Sequence, residues 1–430
     1  MPAPAAPRSG LSADVIVVGA GPGGSATATY LARHGVDVLL LEKARFPRDK
    51  VCGDGLTPRA TRELISLGVD TSGWQRTRGL RFLGRGRELV LDWPQTDTFP
   101  DYGLVRTRAQ LDEVLVRHAV RSGARLVEGT TVTGPLRDDT GRVVGVLARS
   151  ADEDREDGRL VAHRAKVVVA CDGVSSRLAT NAGRPRRSDR VMGVAVRAYY
   201  RTPRVEDYLV SYLELWRDDN AGRRHLMPGY GWLFPLGDGR VNAGLGILDT
   251  SRAFGHTDLK DVMRRWVDSL GDGWELAHDV AAGPIRGAAL PMGLNRTPLY
   301  ADGLLLVGDA AGMVNPFNGE GIDYALEAAR VSAEVIVQAK ARRTAADCDR
   351  VLHGYPRIMR DQLGGYFTLG RWFAHAVGNP QFMRVGARLA LREGRMVHVL
   401  LKLMANLPQE HGGRADDRLV RALSALAPDA

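Results

Sequence analysis

Short, continuously apolar runs alternate with a helical pattern at the start of the chain. Residues 14–18 and 36–41 are rich in valine, isoleucine and leucine, which is typical of buried parallel strands. The stretch between them predicts a helix over residues 22–34. Further strands are predicted over residues 159–171 and directly before Gly308. The pattern indicates an α/β fold built on a parallel sheet.

The hydrophobic pattern changes over residues 186–300. Apolar and polar positions alternate there, with aromatic residues interleaved, which predicts an inserted antiparallel sheet suited to holding a substrate. Residues 345–405 are predicted to be mostly helical. The predicted organisation is a nucleotide-binding domain in two parts (12–185 and 301–342), a substrate-binding sheet domain (186–300), a C-terminal helical region (343–408), and disordered ends (1–11 and 409–430).

A glycine-rich turn follows the first predicted strand. Gly19 permits a tight turn, Gly21 lets the backbone approach a pyrophosphate, and Gly24 lets the next helix lie close to the strand. Glu42 stands 23 residues after Gly19, close to the spacing of about 20 expected for a ribose-binding carboxylate. Such a turn can arise by chance, but its position between a strand and a helix predicts dinucleotide binding.

Two later segments also end strands with glycine and aspartate. Asp172 precedes Gly173, and Asp309 follows Gly308. Together with the first turn, they predict one FAD. Asp309 is expected near the FAD ribose or pyrophosphate, although an acid there is often a helix cap. Asp172 is expected to contribute more to the shape of the fold than to chemistry.

Composition limits the other possibilities. The net charge of +9 comes almost entirely from arginine, and no nucleic-acid-binding motif accompanies it, so nucleic-acid binding is not predicted. Three cysteines do not form a disulfide framework and indicate a reducing, cytoplasmic environment. The sequence shows no targeting segment and no run long enough to span a bilayer, and it predicts no metal site.

A basic, amphipathic pattern occurs near the C-terminus. Arg384, Arg388, Arg392 and Arg395 recur at helical spacing among leucine and valine residues. Such a helix suits an anionic membrane surface, which would make the protein peripheral on the inner face of the cell membrane. A solvated face over a core helix explains the pattern equally well.

Longer motifs resemble a known group of flavoproteins. Arg108 followed by Asp112 is similar to a motif of the para-hydroxybenzoate hydroxylase class, in which the arginine reaches the flavin. Residues 46–59, 229–235 and 315–322 resemble three motifs of the geranylgeranyl reductase family: a cysteine-containing loop beside the flavin, a Y-x-W-x-F-P substrate motif and the last flavin segment. Within that family, the closest resemblance is to actinobacterial reductases that saturate one isoprene unit of the menaquinone tail.

The resemblance and the glycine turn together assign site residues. The expected cofactor-binding residues are Gly19, Ala20, Gly21, Pro22, Gly23, Gly24, Glu42, Lys43, Cys52, Gly53, Arg108, Asp172, Asp309, Gly321 and Ile322. The expected catalytic residues are Cys52, Tyr230 and Trp232, and the substrate pocket is expected to contain Tyr230, Trp232, Phe234 and Pro316. The family motif has a proline where this chain has Met227, so chain-length preference cannot be carried over.

The predicted chemistry is reduction of an isolated C=C bond. Positive charge would develop on the more substituted carbon, and an aromatic face stabilises such charge by about 1–2 kcal/mol. Tyr230, Trp232 and Phe234 alternate and should share one face of a strand, although aromatic core stripes show the same pattern. Cys52 is a candidate proton donor or flavin contact, or a small buried hydrophobe.

The predicted partner is a polyprenyl lipid substrate. Alternatives are a reductase of geranylgeranyl diphosphate or geranylgeranyl lipids, an FAD-dependent aromatic monooxygenase or halogenase, and a cofactor-bearing binding protein. Because the chain has only one dinucleotide motif, the electron donor stays unknown.

Overall fold

The computed structural model describes residues 7–84, 86–151, 159–218, 222–227, 229–251, 254–255, 257–278, 283–379, 382, 394–409 and 415–428. The ten described helices of four or more residues are α1 (Pro22–Arg33), α2 (Pro58–Ser66), α3 (Arg108–Arg121), α4 (Arg177–Asn181), α5 (Leu259–Ser269), α6 (Ile322–Lys340), α7 (Ala345–Leu352), α8 (Gly354–Val377), α9 (Gly394–Met404) and α10 (Ala415–Leu426). Short 3-10 turns cover Gly271–Gly273 and Gly308–Ala310. The charged loop predicted at 152–158 lies outside the described residues.

One eight-stranded sheet carries the nucleotide-binding elements, and it is called the flavin sheet below. Its strands are β1 (Arg8–Val18), β2 (Val38–Leu41), β8 (Arg125–Val127), β9 (Thr130–Arg137), β10 (Val143–Ser150), β11 (Val161–Ala170), β20 (Tyr300–Ala301) and β21 (Leu304–Leu306). Strands β21, β11, β1, β2 and β8 run parallel. Helix α1 leaves the end of β1 and packs against α6 and α3. The central parts of these strands, residues 15–18, 38–41, 167–170 and 304–306, are apolar and buried on both faces.

A second eight-stranded sheet, called the substrate sheet below, lies on the far side of the flavin-binding loops. Its strands are β5 (Gly79–Gly84), β6 (Arg87–Asp92), β12 (Met192–Arg201), β13 (Tyr208–Tyr212), β16 (Gly229–Pro235), β17 (Arg240–Leu248), β18 (Ala277–His278) and β19 (Arg286–Pro291). The pairings are antiparallel except that β13 runs parallel to β5. The hairpin at residues 79–92 therefore completes a sheet that otherwise comes from residues 192–291.

Two smaller sheets complete the strands. One contains β3 (Gly55–Leu56), β7 (Gly103–Val105) and β4 (Gln75–Thr77), and the other pairs β14 (Leu215–Asp218) with β15 (Arg224–Met227). The first sheet sets the loop around residue 54 between the flavin sheet and the substrate sheet. The predicted α/β class, with its nucleotide-binding fold, inserted sheet and C-terminal helices, is confirmed.

The C-terminal helices close over the substrate sheet. Val397 and Leu401 of α9 are buried against the β5–β6 hairpin, so these apolar positions face the interior. Arg384, Arg388 and Arg392 of the basic pattern lie outside the described residues. No helix of the described residues is long and apolar enough to cross a membrane.

The end of the chain differs from the loose tail predicted for 409–430. Helix α10 packs against α8, where a side chain at Gly365 would come within 2.1 Å of the Ser424 carbonyl oxygen. Lys402 Nζ lies 2.8 Å from Asp416 and 2.9 Å from Asp417. Long-range pairing of this kind leaves little local signal in the sequence.

Candidate flavin and substrate site

The turn after β1 has the geometry of a phosphate cradle. Gly19 has φ of 95°, and a Cβ there would lie 2.5 Å from the Cys171 carbonyl oxygen. A Cβ on Gly24 would lie 1.8 Å from the Gly19 carbonyl oxygen. At Gly21 the nearest side-chain atoms are 3.9 Å away, so space is open beside the N-terminus of α1. Both glycine contacts and this opening suit a pyrophosphate.

Glu42 ends β2 beside this cradle. Its buried carboxylate accepts hydrogen bonds from the backbone amides of Ala20, at 2.8 Å, and Ala44, at 3.0 Å. Arg48 lies 3.5 Å from the same carboxylate. The acid thus fixes the glycine turn, and its contact with a ribose stays a prediction. Neighbouring Lys43 is exposed.

Two ion pairs lie along the cavity between the sheets. Arg108 donates from Nε and a terminal nitrogen to Asp112, at 2.8 and 2.7 Å. Burial alone would lower the pKa of the Arg108 guanidinium, but the charge of Asp112 more than offsets this and raises it. Lys50 Nζ lies 3.0 Å from Asp309. Burial would raise the pKa of Asp309, but Lys50 holds it below its usual value, so this carboxylate is ionised at neutral pH.

Asp172 has a local structural role. Its carboxylate accepts hydrogen bonds from the Ser176 hydroxyl at 2.6 Å and the Leu178 amide at 3.2 Å, which ties the loop after β11 to α4. Burial raises its pKa. Its neighbours Cys171 and Gly173 line the cavity. Asp172 is therefore a positioning residue in this structure, and a direct cofactor contact stays a prediction.

The Cys52 loop is held by a buried polar network that we did not predict. Asp54 is fully buried with φ of 66°, and its carboxylate accepts hydrogen bonds from the Arg108 amide at 3.0 Å, Tyr199 at 2.7 Å and Asn242 at 2.7 Å. Burial raises the pKa of Asp54 to about 6, against these donors. Asn242 also donates to the Cys52 carbonyl oxygen at 2.9 Å.

The signal for this network was faint. Asn242 is a lone amide within an otherwise apolar strand, and Asp54 stands between two glycines. Their partners lie 145 and 188 residues away along the chain. Cys52 itself lies in the cavity wall, and burial raises the pKa of its thiol.

The three aromatic residues of β16 form one row on the cavity face. Successive ring centroids lie 6.0 and 6.1 Å apart, from Tyr230 to Trp232 to Phe234. Trp232 Nε1 donates to Asn242 at 3.0 Å, and the indole lies over Gly244 of β17, where a Cβ would approach within 2.2 Å. These contacts with Asn242 and Gly244 of the neighbouring strand β17 fix the position of the Trp232 ring.

The aromatic row also touches the loops that face the flavin site. A Cβ at Gly53 would lie 3.2 Å from the Phe234 ring. The Tyr230 hydroxyl donates to the Asn318 carbonyl oxygen at 2.6 Å. Pro228, which follows Met227 at the changed motif position, lies outside the described residues. The row thus bridges the Cys52 loop and the segment before α6.

A cavity of about 600 Å³ joins the phosphate cradle to the aromatic row. Of the expected residues, the wall includes Gly21, Pro22, Gly23, Cys52, Gly53, Arg108, Asp309, Gly321, Ile322, Tyr230, Trp232, Phe234 and Pro316. Gly19, Ala20, Gly24, Glu42, Lys43 and Asp172 do not line the cavity. Open space at Gly21, the cationic Arg108 and the N-terminus of α6 together fit a flavin dinucleotide.

Comparison with known proteins also identifies an FAD-binding protein. Residues 12–229 match the family model described as FAD binding domain. The protein is an FAD-dependent oxidoreductase, and the predicted cofactor is confirmed.

The particular family follows from the relatives. Menaquinone reductase of Mycobacterium tuberculosis (strain ATCC 25618 / H37Rv) is 39% identical over 399 residues, covering 92% of this chain and 91% of that protein. Digeranylgeranylglycerophospholipid reductase 1 of Methanopyrus kandleri is 34% identical, covering 76% and 80%. A geranylgeranyl bacteriochlorophyll reductase-like structure from Thermoplasma acidophilum superposes with a TM-score of 0.76 at 20% identity, covering 96% and 99%. The chain belongs to the geranylgeranyl reductase family of FAD-dependent oxidoreductases, as the motifs predicted.

Proposed function

We propose that this protein reduces an isolated C=C bond in the polyprenyl tail of menaquinone. The observation that carries the proposal is the shape of the cavity, which follows one face of the substrate sheet from edge to edge. A long, flexible, apolar chain matches this shape. A compact aromatic substrate, such as a monooxygenase or halogenase uses, does not need it.

Alternation along seven neighbouring strands produces the apolar face. Alternate positions provide most of the lining, in the strand order β19, β12, β17, β16, β13, β5 and β6: Ala288 and Leu290, Gly193 and Ala195, Gly246 and Leu248, Tyr230 to Phe234, Leu209 and Ser211, Leu80 and Phe82, and Leu89. Gly229, Ile247 and Ala289, at intervening positions, also line the cavity. Six strand spacings of about 4.8 Å make this face about 29 Å wide. The aromatic row occupies the middle strand.

A central reacting position suits an internal double bond. The substrate chain can extend over three strands on either side of β16. The side towards β12 carries Gly193, Ala195 and Gly246 beside Leu248 and Leu290, and the side towards β6 carries Leu80, Phe82 and Leu89 beside Ser211. Both sides therefore present mainly apolar surface to the substrate chain.

The chain's own residues prepare the reaction. When bound, reduced FAD supplies a hydride, which carries two electrons and one hydrogen. Arg108, Asp309 and the N-termini of α1 and α6 would hold the cofactor. The aromatic row excludes water and faces the carbon on which positive charge develops. A proton must reach the other carbon.

A diphosphate substrate fits less well. The cationic side chains that line the cavity, among the described residues, are Lys50, Arg108 and Arg197. Each is paired with a carboxylate: Asp309, Asp112 and Asp49, the last at 2.6 Å. Menaquinone has no charged end group, so these pairs need not break. Close relatives that bear the name menaquinone reductase support the same choice.

We also propose that the protein takes its substrate from a membrane surface. Trp372, on α8, is 54% exposed and adjoins Phe373, which lines the cavity. The basic residues at 384–395 follow along the chain. Sedimentation with anionic liposomes tests this: the protein should pellet, high salt should release it, and Trp372→Ala should weaken it. Equal recovery in the supernatant with and without liposomes would contradict it.

The direct test of function is anaerobic. The flavoprotein is photoreduced, mixed with menaquinone in detergent, and the lipid is analysed by mass spectrometry. We expect a gain of two hydrogens in the tail and reoxidation of the flavin. A gain with geranylgeranyl diphosphate alone would reassign the substrate, and oxygen insertion into an aromatic compound would overturn the reductase proposal. The physiological electron donor is not needed in this experiment.

A further inference from the structure

A group of buried carboxyl groups lies at the start of α6, beside the cavity. This acid cluster consists of Glu320, Asp323 and Glu327, with Arg59 of α2 as its cation. Asp323 and Glu327 are buried, and Glu320 forms part of the cavity wall. The cofactor-binding motifs explain the glycines around Glu320 but not this cluster.

The guanidinium group of Arg59 interacts electrostatically with all three carboxyl groups. Arg59 donates to Glu327 at 2.6 Å, whereas its Nε lies 3.8 Å from Asp323. Within the described part of the chain, neither oxygen of Asp323 accepts a hydrogen bond of good geometry, although the side chain is fully buried. Among the described residues, Arg59 is the cation within ion-pair distance of Asp323 and Glu327, and Arg62 and Arg330 act on Glu327 from farther away. Buried carboxyl groups with this little positive charge near them favour the protonated form.

Glu320 is the member of the cluster that reaches the cavity. The Thr57 hydroxyl and amide donate to its Oε1 at 2.5 and 3.3 Å. Among the described residues, its Oε2 has a single long contact, 3.5 Å from the side-chain amide of Asn318. The first oxygen is thus an acceptor, and the second is the position for a proton.

The electrostatics agree with this geometry. Burial raises the pKa of Glu320 to about 7, against the donors on Thr57 and the charge of Arg59. Burial also raises the pKa of Asp323 well above its usual value, and Glu320 raises it further. The titratable or charged groups that face the two acids are Arg59 of α2, Tyr230 of β16, Tyr324 and Glu327 of α6, and Tyr366 of α8.

We propose that Glu320 is the proton donor to the substrate alkene. This proposal rests on the proposed function. The O–H bond of Glu320 breaks as a C–H bond forms on the carbon adjacent to the one that accepts the hydride. The two C=C electrons form this bond, the hydride supplies both electrons of the other, and the carboxylate regains a proton from solvent after the product leaves.

Other groups in the described cavity wall are poorer donors. Burial raises the pKa of the Cys52 thiol above its ordinary value and raises the pKa of Tyr230 to about 12. Asp309 is held ionised by Lys50. Proton transfer is most effective when the pKa of the donor is near the working pH, which favours Glu320.

The first test detects the proton without turnover. Infrared difference spectra of the FAD-bound protein, recorded as the pH rises, should lose a protonated carboxyl band near pH 7. Glu320→Gln should abolish that band. Glu334→Gln, an exposed change on the same helix, should keep it. Because buried Asp54 should lose its own carboxyl band near pH 6 in every variant, the decisive quantity is the wild-type titration minus that of Glu320→Gln. The absence from this difference of a carboxyl component that titrates near pH 7 would overturn the proposal.

The second test measures single turnover with pre-reduced protein and menaquinone. The wild-type rate constant should fall about tenfold per pH unit above about pH 7. Glu320→Gln should be slower by about 100-fold and lose that pH dependence, with unchanged FAD content. Glu320→Asp should recover part of the rate. Retention of rate and pH profile in Glu320→Gln, with loss of both in Cys52→Ala, would overturn the proposal.

The two tests separate this inference from the proposed function. If the wild-type protein reduces no polyprenyl lipid, the proposed function fails, and the infrared titration still shows whether Glu320 carries a proton. If menaquinone is reduced and the Glu320 variants behave like the wild type, only the proton donor is wrong.

Discussion

The flavin sheet and the substrate sheet use their residues in different ways. In the flavin sheet, functional groups lie at strand ends, where glycine turns such as Gly19 and Gly24 bring backbone close to a ligand. In the substrate sheet, the proposed substrate surface lies along one face, where residues of seven strands form a continuous wall. The first arrangement depends on a few backbone conformations. The second depends on many side chains, each of which contributes a small part.

The comparison predicts the largest effect at a single glycine of the flavin sheet. Gly24→Ala would place a methyl group 1.8 Å from the Gly19 carbonyl oxygen, so helix α1 must move away from β1. We expect loss of bound FAD and a lower melting temperature, measured by flavin absorbance per protein and by thermal unfolding. In the control Gly21→Ala, the nearest side-chain atoms are 3.9 Å away; it should fold normally and bind FAD more weakly. Full FAD occupancy in Gly24→Ala would contradict this account.

The next effect concerns the network that joins the two sheets. Asn242→Leu leaves Trp232 without its acceptor and removes one donor from Asp54. Buried groups left without partners cost about 1–3 kcal/mol each, so we expect unfolding by urea to show a loss of about 2–4 kcal/mol. The control Asn181→Leu removes one exposed hydrogen bond and should cost less than about 1 kcal/mol. Equal costs for the two variants would argue against a central role for Asn242.

A smaller effect is expected on the face of the substrate sheet. A Cβ at Gly246 meets no atom closer than 3.5 Å, so Gly246→Val fits and narrows the cavity opposite Tyr230. We expect kcat/KM for menaquinone to fall about tenfold, while FAD content stays the same. Gly134→Val in the flavin sheet, whose Cβ has similar room, should not change turnover. An unchanged kcat/KM in Gly246→Val would place the lipid elsewhere.

The smallest effect is expected for the ion pair Lys50–Asp309. Because Lys50 lowers the pKa of Asp309 in the folded protein, the pair stabilises the fold above about pH 4, the ordinary range of the acid, and this contribution is lost as the pH falls below that value. Lys50→Met should cost about 0.5–1 kcal/mol at pH 7, measured by urea unfolding, and weaken FAD binding. Lys340→Met removes a comparable surface pair with Asp14 and should not affect FAD. Loss of FAD affinity in both variants would show a general effect of charge.

The two regions also differ in how much their sequence predicted. The flavin segments are local: Gly19 to Glu42 spans one strand–helix–strand unit, so spacing alone predicted the fold and the cradle. The aromatic row was also predicted, because alternation along a strand is local.

Contacts between distant segments could not be predicted from the sequence in this way. Asp54 and Asn242 are 188 residues apart, and neither has a local pattern that identifies its partner. The sequence also failed to predict that the 79–92 hairpin pairs with β13 and that α10 packs on α8. Both contacts join segments that are far apart along the chain. Glu320 was recognised as part of a flavin motif, but its proton-holding environment depends on Thr57 and Arg59 of another helix.

The parallel pairing of β5 with β13 has a consequence for biosynthesis. Gly79 pairs with Tyr208, so the hairpin at 79–92 leaves the ribosome well over a hundred residues before its partner. At about 5–20 residues per second, it waits on the order of ten seconds with an unpaired edge. The flavin sheet also needs β20 and β21, near residue 300. The flavin sheet therefore cannot be completed until every strand of the substrate sheet has been synthesised.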